Sequence, residues 1–274
     1  MYTNRLTVST LLGQYLTLAN KLGIVPNVDS ATTINTKRSV LAATMPGDAT
    51  LLGLHYFGIG IRGSGATTIT LNDGDIPAMV PYTPSEKNMD LYHPIPVRMV
   101  EAGGLTPAEA ANYRMKTSYT DVATGTLYDV YWLKCVAISG AQPVVFEKIL
   151  DDVENTREAY VLDINNLVPT VPTGSEVIEN LVVGTTLNCI IEGWELDEVI
   201  THYLDGRREL ACVSEFGLYS GTDFEVNVDY TEAIGVQLAM HRCIRGHDAS
   251  SPNAKITEAF IIESGNSLVT RTFD

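Results

Sequence analysis

Leu51-Leu52-Gly53-Leu54-His55-Tyr56-Phe57-Gly58-Ile59-Gly60-Ile61, followed closely by Ala66-Thr67-Thr68-Ile69-Thr70-Leu71, is the stretch on which the fold turns. It contains Gly58-x-Gly60-x-x-Gly63, which matches a dinucleotide fingerprint as a string. That fingerprint requires a helix immediately afterwards, because the helix N-terminus holds the pyrophosphate. The residues after Gly63 are instead a run of β-branched strand formers, Ala66 to Leu71. The stretch therefore reads as a buried strand with glycine breaks, then a second strand, then a turn at Asn72-Asp73-Gly74-Asp75. The glycines are expected to permit bulges or close backbone approach to another subunit.

Upstream, one helix is expected. Ser9 can cap it, and Leu11, Leu12, Tyr15, Leu16, Ala19 and Leu22 recur at helical spacing before Gly23 and Pro26 end the segment. Residues 1–29 are read as an N-terminal helical arm. Its stripe of Leu11, Leu12, Tyr15, Leu16 and Leu22 is the candidate interface, docking either on its own domain or on a neighbouring subunit. The polar stretch Asn27 to Lys37 reads as a flexible lead into the body.

Downstream, Pro81-Tyr82-Thr83-Pro84-Ser85 and His93-Pro94-Ile95-Pro96-Val97 make an extended, edge-like connector. Thr106-Pro107-Ala108-Glu109 is a capping box that starts a helix running no further than about Met115. Tyr128 to Val136 is a strand, and Pro143 to Lys148 is expected beside it. Asn165 to Gly174, with Pro169 and Pro172, is the expected boundary, giving β-rich domains at 30–172 and 173–274. In the second domain, Val177 to Ile191 is a strand and Leu196 to Tyr203 a short helix stopped at Asp205-Gly206. Ala211 to Tyr219 is a strand running into a Ser-Gly turn, Ile234 to Met240 a half-buried strand, and Ile256–Ile262 with Leu268–Phe273 a final hairpin. The fold class is mainly β with a minor helical part: two β-sandwich or barrel-like modules and a short N-terminal helix.

Composition narrows the function. The chain has 274 residues, 45% hydrophobic and 19% charged, as a folded protein should. Its net charge is −15, and its cations cluster no further than the pairs Lys37-Arg38 and Arg207-Arg208. A grip on a phosphate backbone needs clustered cations, so no nucleic acid and no anionic membrane surface is expected as partner. No apolar run approaches the roughly 20 residues of a membrane span, and the start lacks a signal-peptide profile, so cytosolic synthesis is expected. Cys135, Cys189, Cys212 and Cys243 lack paired spacing and read as buried thiols.

The candidates for chemistry each have a plainer reading. His241-x-Cys243-x-x-x-His247, beside Asp248, is the one group resembling a metal site, but its ligand set is incomplete for zinc. A packed, hydrogen-bonded histidine beside a buried thiol is the expectation. Asn72-Asp73-Gly74-Asp75 and Asp151-Asp152 lack the spaced carboxylates of a calcium loop. No Gly-x-Ser-x-Gly occurs, and Ser214 lies within a strand. No catalytic residue, cofactor or metal is expected, and the chain is read as a non-enzyme.

Several short stretches resemble a family of virion structural proteins of tailed phages. They are Tyr56 to Gly60, Pro81 to Glu86 with Leu91 to Pro96, Ser214 to Gly221, and Tyr230 to Ile234 with His241-Arg242-Cys243. Ile95-Pro96-Val97-Arg98 and Tyr131-Trp132-Leu133-Lys134-Cys135 are also similar in pattern to baseplate wedge proteins of contractile tails. The resemblance implies a virion component assembled in the host cytoplasm: a building block of baseplate, neck or head–tail connector. Its partners would be other virion proteins and copies of itself. The alternative is a β-sandwich that binds host-surface carbohydrate, for which Trp132 and Trp194 are the aromatic candidates, although both sit in patterns that imply burial.

Overall fold

The computed structural model describes residues 6–29, 31–38, 52–71, 74–138, 144–151, 156–163, 165, 180–210, 212–227, 230–248, 253 and 255–265. The chain is mainly β, with a minor helical part. It divides into two interleaved compact units, Met1–Val136 with Ile190–Ile256, and Ala137–Cys189 with Thr257–Asp274. The sequence led us to expect successive halves meeting at 172. The two units instead alternate along the sequence, two segments each, and residues 166–179 lie outside the described set.

The first unit is built on one large antiparallel sheet. Its strands are β1 (Leu6–Ser9), β2 (Gly53–Gly60), β5 (Pro94–Ile95), β6 (Arg98–Glu101), β7 (Tyr113–Thr120), β8 (Leu127–Cys135), β13 (Cys212–Asn227) and β14 (Tyr230–Asp248). The order is β1-β14-β13-β2-β8-β6, with β5 also on β2 and β7 also on β8. β13 and β14 form one long hairpin, from Cys212 opposite Asp248 to Asn227 opposite Tyr230. Val213 to Gly221 are all buried, so both faces of the sheet are covered there. Beyond Gly221 exposed and half-exposed residues alternate, as they do where one face meets water. The expected Ser220-Gly221 turn is a bulge inside the strand, where the register shifts. Ile34, Tyr56, Leu91, Met115, Leu133, Tyr219, Ala233, Val236 and Leu238 pack as the central core.

A hairpin of β3 (Ser64–Leu71) and β4 (Gly74–Pro81) comes after β2, in the place where a nucleotide fold would put its helix. Gly58 lies opposite Gly217 across β2 and β13. A Cβ on Gly60 would come within 2.8 Å of the His93 carbonyl, and one on Gly63 would collide with the Ser214 carbonyl. The glycine spacing serves close approach, as expected, but the approaching backbone belongs to the same chain.

The helices are α1 (Leu11–Lys21), α2 (Thr33–Arg38), α3 (Pro107–Ala110) and α4 (Gly193–His202). The cap of α1 is Thr10, which accepts from the Gly13 amide at 3.1 Å; Ser9 is instead the last residue of β1, opposite Met240. α2 was not foreseen, and it replaces the expected flexible lead. Asn35 is fully buried, donating to the Ala233 carbonyl at 2.6 Å and accepting from the Val236 amide at 3.0 Å. α3 has its capping box but ends at Ala110, because Tyr113 onward is strand. α4 ends as expected, with Asp205 and Gly206 at φ of 52° and 72°.

In the second unit the sheet order is β11 (Thr156–Ala159), β10 (Val145–Asp151), β12 (Asn180–Glu192) and β15 (Lys255–Gly265), with β9 (Ala137–Ile138) also on β12. β10 therefore pairs with β11 and β12, not with β8 as expected. The expected partner strand Leu268–Phe273 lies outside the described residues.

Candidate interaction surfaces and buried polar sites

α1 carries two apolar faces, and among the described residues only one of them is buried. Gly13, Leu16 and Ala19, at three-residue spacing, form the buried face. A Cβ on Gly13 would collide with the Ala239 carbonyl of β14, so the helix backbone sits directly on the sheet. Thr10 secures the start, its hydroxyl donating to the Leu238 carbonyl at 2.5 Å. Of the expected stripe, Leu16 is buried, Leu12 is half-buried, and Leu11, Tyr15 and Leu22 are exposed.

Leu11, Tyr15, Leu18 and Leu22 succeed one another at helical spacing of four, three and four residues. With Ile24 and Val25 they run from 44% exposed at Tyr15 to 65% at Val25. Six large apolar residues within fifteen positions form a patch of a kind that monomeric proteins rarely leave in water. Lys21 is the sole charged residue between Thr10 and Val25, in a chain of net charge −15.

The second unit has an apolar surface of its own. Phe146, Lys148 and Leu150 alternate onto one face of β10, with Phe146 opposite Val183 and Lys148 opposite Leu181. Phe146 and Leu150 are exposed, as are Val144, Leu162 and Ile261. On neighbouring strands Arg157 pairs with Glu147 at 3.5 Å and with Glu263.

The chemistry-bearing groups of the first unit are turned inward. Glu215 and His241 are both fully buried, 3.6 Å apart. The Glu215 carboxylate accepts from the amides of Arg62 at 2.8 Å, Tyr92 at 2.6 Å and His93 at 3.3 Å. Asn88 meets His241 Nδ1 at 2.9 Å, and Cys243 Sγ lies 3.7 Å from Nε2. This knot ties the proline-rich connector to the sheet. Burial, aided by the nearby Glu215 charge, pushes the Cys243 thiol up to about 12, so it is inert as a nucleophile at neutral pH. The His247 ring packs edge-on against Phe216. Among the described residues no group of three or more His, Cys, Asp or Glu is placed to hold a metal. Asn72, Asp73 and Asp152 lie outside them.

Two further buried carboxylates act the same way. Glu232 accepts from the amides of Met115 and Ala233, each at 2.8 Å, and from the Tyr230 hydroxyl at 2.6 Å. It holds Met115 at φ 58°, a left-handed conformation that costs a side-chain-bearing residue roughly 1–2 kcal/mol. Glu195 accepts from Tyr113, from Lys134 at 2.6 Å and from the Glu192 amide at 2.8 Å, joining α4 to β7 and β8.

Trp194 breaks the expected pattern. Trp132 is half-buried, donating to Thr117 at 3.0 Å, but Trp194 is 48% exposed. Leu196, Val199 and Ile200 fill the buried face of α4, which leaves position 194 outside it. Arg98 covers one side of the indole, with its guanidinium carbon 4.4 Å from the ring, and also pairs with Glu198. Such a contact contributes about 0.5–2 kcal/mol and holds the ring in place. Beside it lies a cleft of about 320 Å³ lined by Arg98, Glu109, Asn112, Tyr113, Lys134 and Glu195, among others. The burial expected of Trp194 is not found, because the helical phase set by Leu196, Val199 and Ile200 turns it outward.

No curated protein and no solved structure matches this sequence. A family match does exist, and it takes in both compact units, the α1 patch and every buried carboxylate described above. Over residues 1–270 the chain belongs to the family of unknown function DUF7208.

Proposed function

We propose that this chain is a non-enzymatic structural subunit of a tailed-phage virion, built into the tail-side assembly through protein–protein interfaces. One observation carries the reading: the exposed stripe Leu11, Tyr15, Leu18 and Leu22 on a helix whose other face is fixed to β14. Burying a leucine is worth roughly 1.5–3 kcal/mol, so a stripe of this size gains most when a neighbour covers it. Its lack of acidic side chains favours that contact, since it is where two strongly acidic surfaces repel least. The buried carboxylates support the reading from the other side. Glu215, Glu232 and Glu195 are spent on backbone amides, hydroxyls and a lysine, as they would be in a part selected for rigidity. The resemblance to phage virion proteins supplies the setting.

Position in the particle tests it directly. Antibody to this chain, imaged by negative stain on purified particles, should decorate the tail side at a fixed site. Particles that lack the chain altogether would overturn the proposal.

A further inference from the structure

We propose that the cleft beside Trp194 binds a neutral saccharide. This is a separate property from assembly and does not depend on the virion reading.

The aromatic platform comes first. Trp194 is half-exposed yet held, with Arg98 against it and Arg98 in turn fixed by Glu198. A rigid, flat apolar surface beside polar groups is what the C–H face of a pyranose ring stacks on. The polar set comes second. The Lys134 ammonium has three donors and directs two hydrogen bonds at Glu195, at 2.7 and 2.6 Å, leaving one for a ligand. Arg98 lines the cleft with its Nε buried and without a hydrogen-bond partner. Asn112 at the rim is exposed; its side-chain amide donates to the Glu109 carbonyl at 3.3 Å, which leaves a second donor and the amide oxygen for a ligand.

Charge selects among ligands. The lining balances Arg98 and Lys134 against Glu109 and Glu195, so there is no net field to hold a phosphate or an acidic peptide. An anion would also meet the two carboxylates. A purely apolar ligand would strip Lys134 and Asn112 of water without replacing it. A polyhydroxylated, uncharged ring satisfies both demands. The volume of about 320 Å³ lies at the small end of ligand pockets, which suits a short saccharide or the end of a longer one.

The test uses the full chain on an array of neutral oligosaccharides of glucose, galactose, mannose and N-acetylglucosamine. Hits are then titrated by calorimetry and tryptophan fluorescence. At least one sugar should saturate. Trp194→Ala should weaken it about tenfold or more, and Trp194→Phe, which keeps an aromatic face, by only a few-fold. Asn112→Ala, at the exposed rim, should weaken binding several-fold with an unchanged melting curve. That variant serves if Trp194→Ala does not fold. No saturable sugar at millimolar concentration, binding unchanged in both variants, or Trp194-dependent binding of inorganic phosphate or a polyglutamate peptide in place of sugars would each overturn the assignment.

Discussion

The two compact units solve the problem of covering a β-sheet in different ways. In the first, α1 and α2 lie against β14, and buried carboxylates fasten loops and strands to the sheet. In the second, the described strands bury Val182, Leu187, Cys189 and Phe260, while Phe146, Leu150, Leu162 and Ile261 stay exposed. The first unit closes around its central core and leaves apolar side chains outside it, on α1 and at Trp194 among other described positions. The second is open over much of its described surface. Apolar side chains at an exposed position add little to the stability of an isolated chain, whereas at an interface they provide most of the binding. The contrast teaches that stability and association are housed in different places.

If so, damage to the fastenings of the first unit should have the largest effect. Glu215→Ala strands the amides of Arg62, Tyr92 and His93 and removes the partner beside His241. Leaving a buried donor unsatisfied costs about 1–3 kcal/mol, so a loss of roughly 3 kcal/mol or more is expected in denaturant unfolding. A loss below about 1 kcal/mol would mean that the connector is not held by this carboxylate.

The matching change in the second unit should do far less. Phe146→Ser or Leu150→Ser, each at an exposed site, should shift stability by no more than about 0.5 kcal/mol in the same assay. A large loss from either would show that the open face is part of a core and would erase the contrast.

The helix stops and glycine positions of the first unit were legible because their causes are local. The capping box at Thr106 and Glu109, the left-handed stop at Asp205-Gly206 and the strand after Gly63 each come from a few neighbouring residues. What could not be read depends on distant partners. α2 looks like a polar linker because its anchor is an asparagine whose bonds reach Ala233 and Val236. The docking face of α1 was hidden because it is made of Gly13 and Ala19 around one leucine, while the larger residues mark the opposite side. Trp194 was expected to be buried, but which way it faces is set by the phase of α4, whose buried side is taken by Leu196, Val199 and Ile200. The interleaving of the units was invisible, since β15 returns to β12 across the whole stretch of the first unit that separates them. Of the candidate surface, Leu11, Tyr15 and Leu22 were legible as apolar, but not as exposed.

A smaller, pH-dependent difference should sharpen the comparison. Burial alone would raise the Asp223 carboxyl, but hydrogen bonds from Arg114 at 2.7 and 2.8 Å and from Tyr56 at 2.6 Å outweigh it and hold it below its ordinary value. A carboxyl depressed in the folded state stabilises the fold above its unfolded value, near pH 4. That contribution is lost as pH falls through the lower folded value. Wild type should therefore exceed Asp223→Asn in melting temperature by a degree or two at neutral pH, with the gap closing as acid protonates the folded-state carboxyl. A gap that widens in acid would contradict the pairing.

The central claim is that the uncovered face of α1 is where this chain joins its neighbours. The double variant Leu18→Glu with Leu22→Glu places two charges on that face and leaves Gly13, Leu16 and Ala19 on β14 untouched. The measurement is the copy number of the variant chain in purified particles, counted by mass spectrometry beside a melting curve of the isolated protein. The predicted result is a near-unchanged melting temperature with the chain absent from particles; wild-type copy number from the folded variant would contradict it.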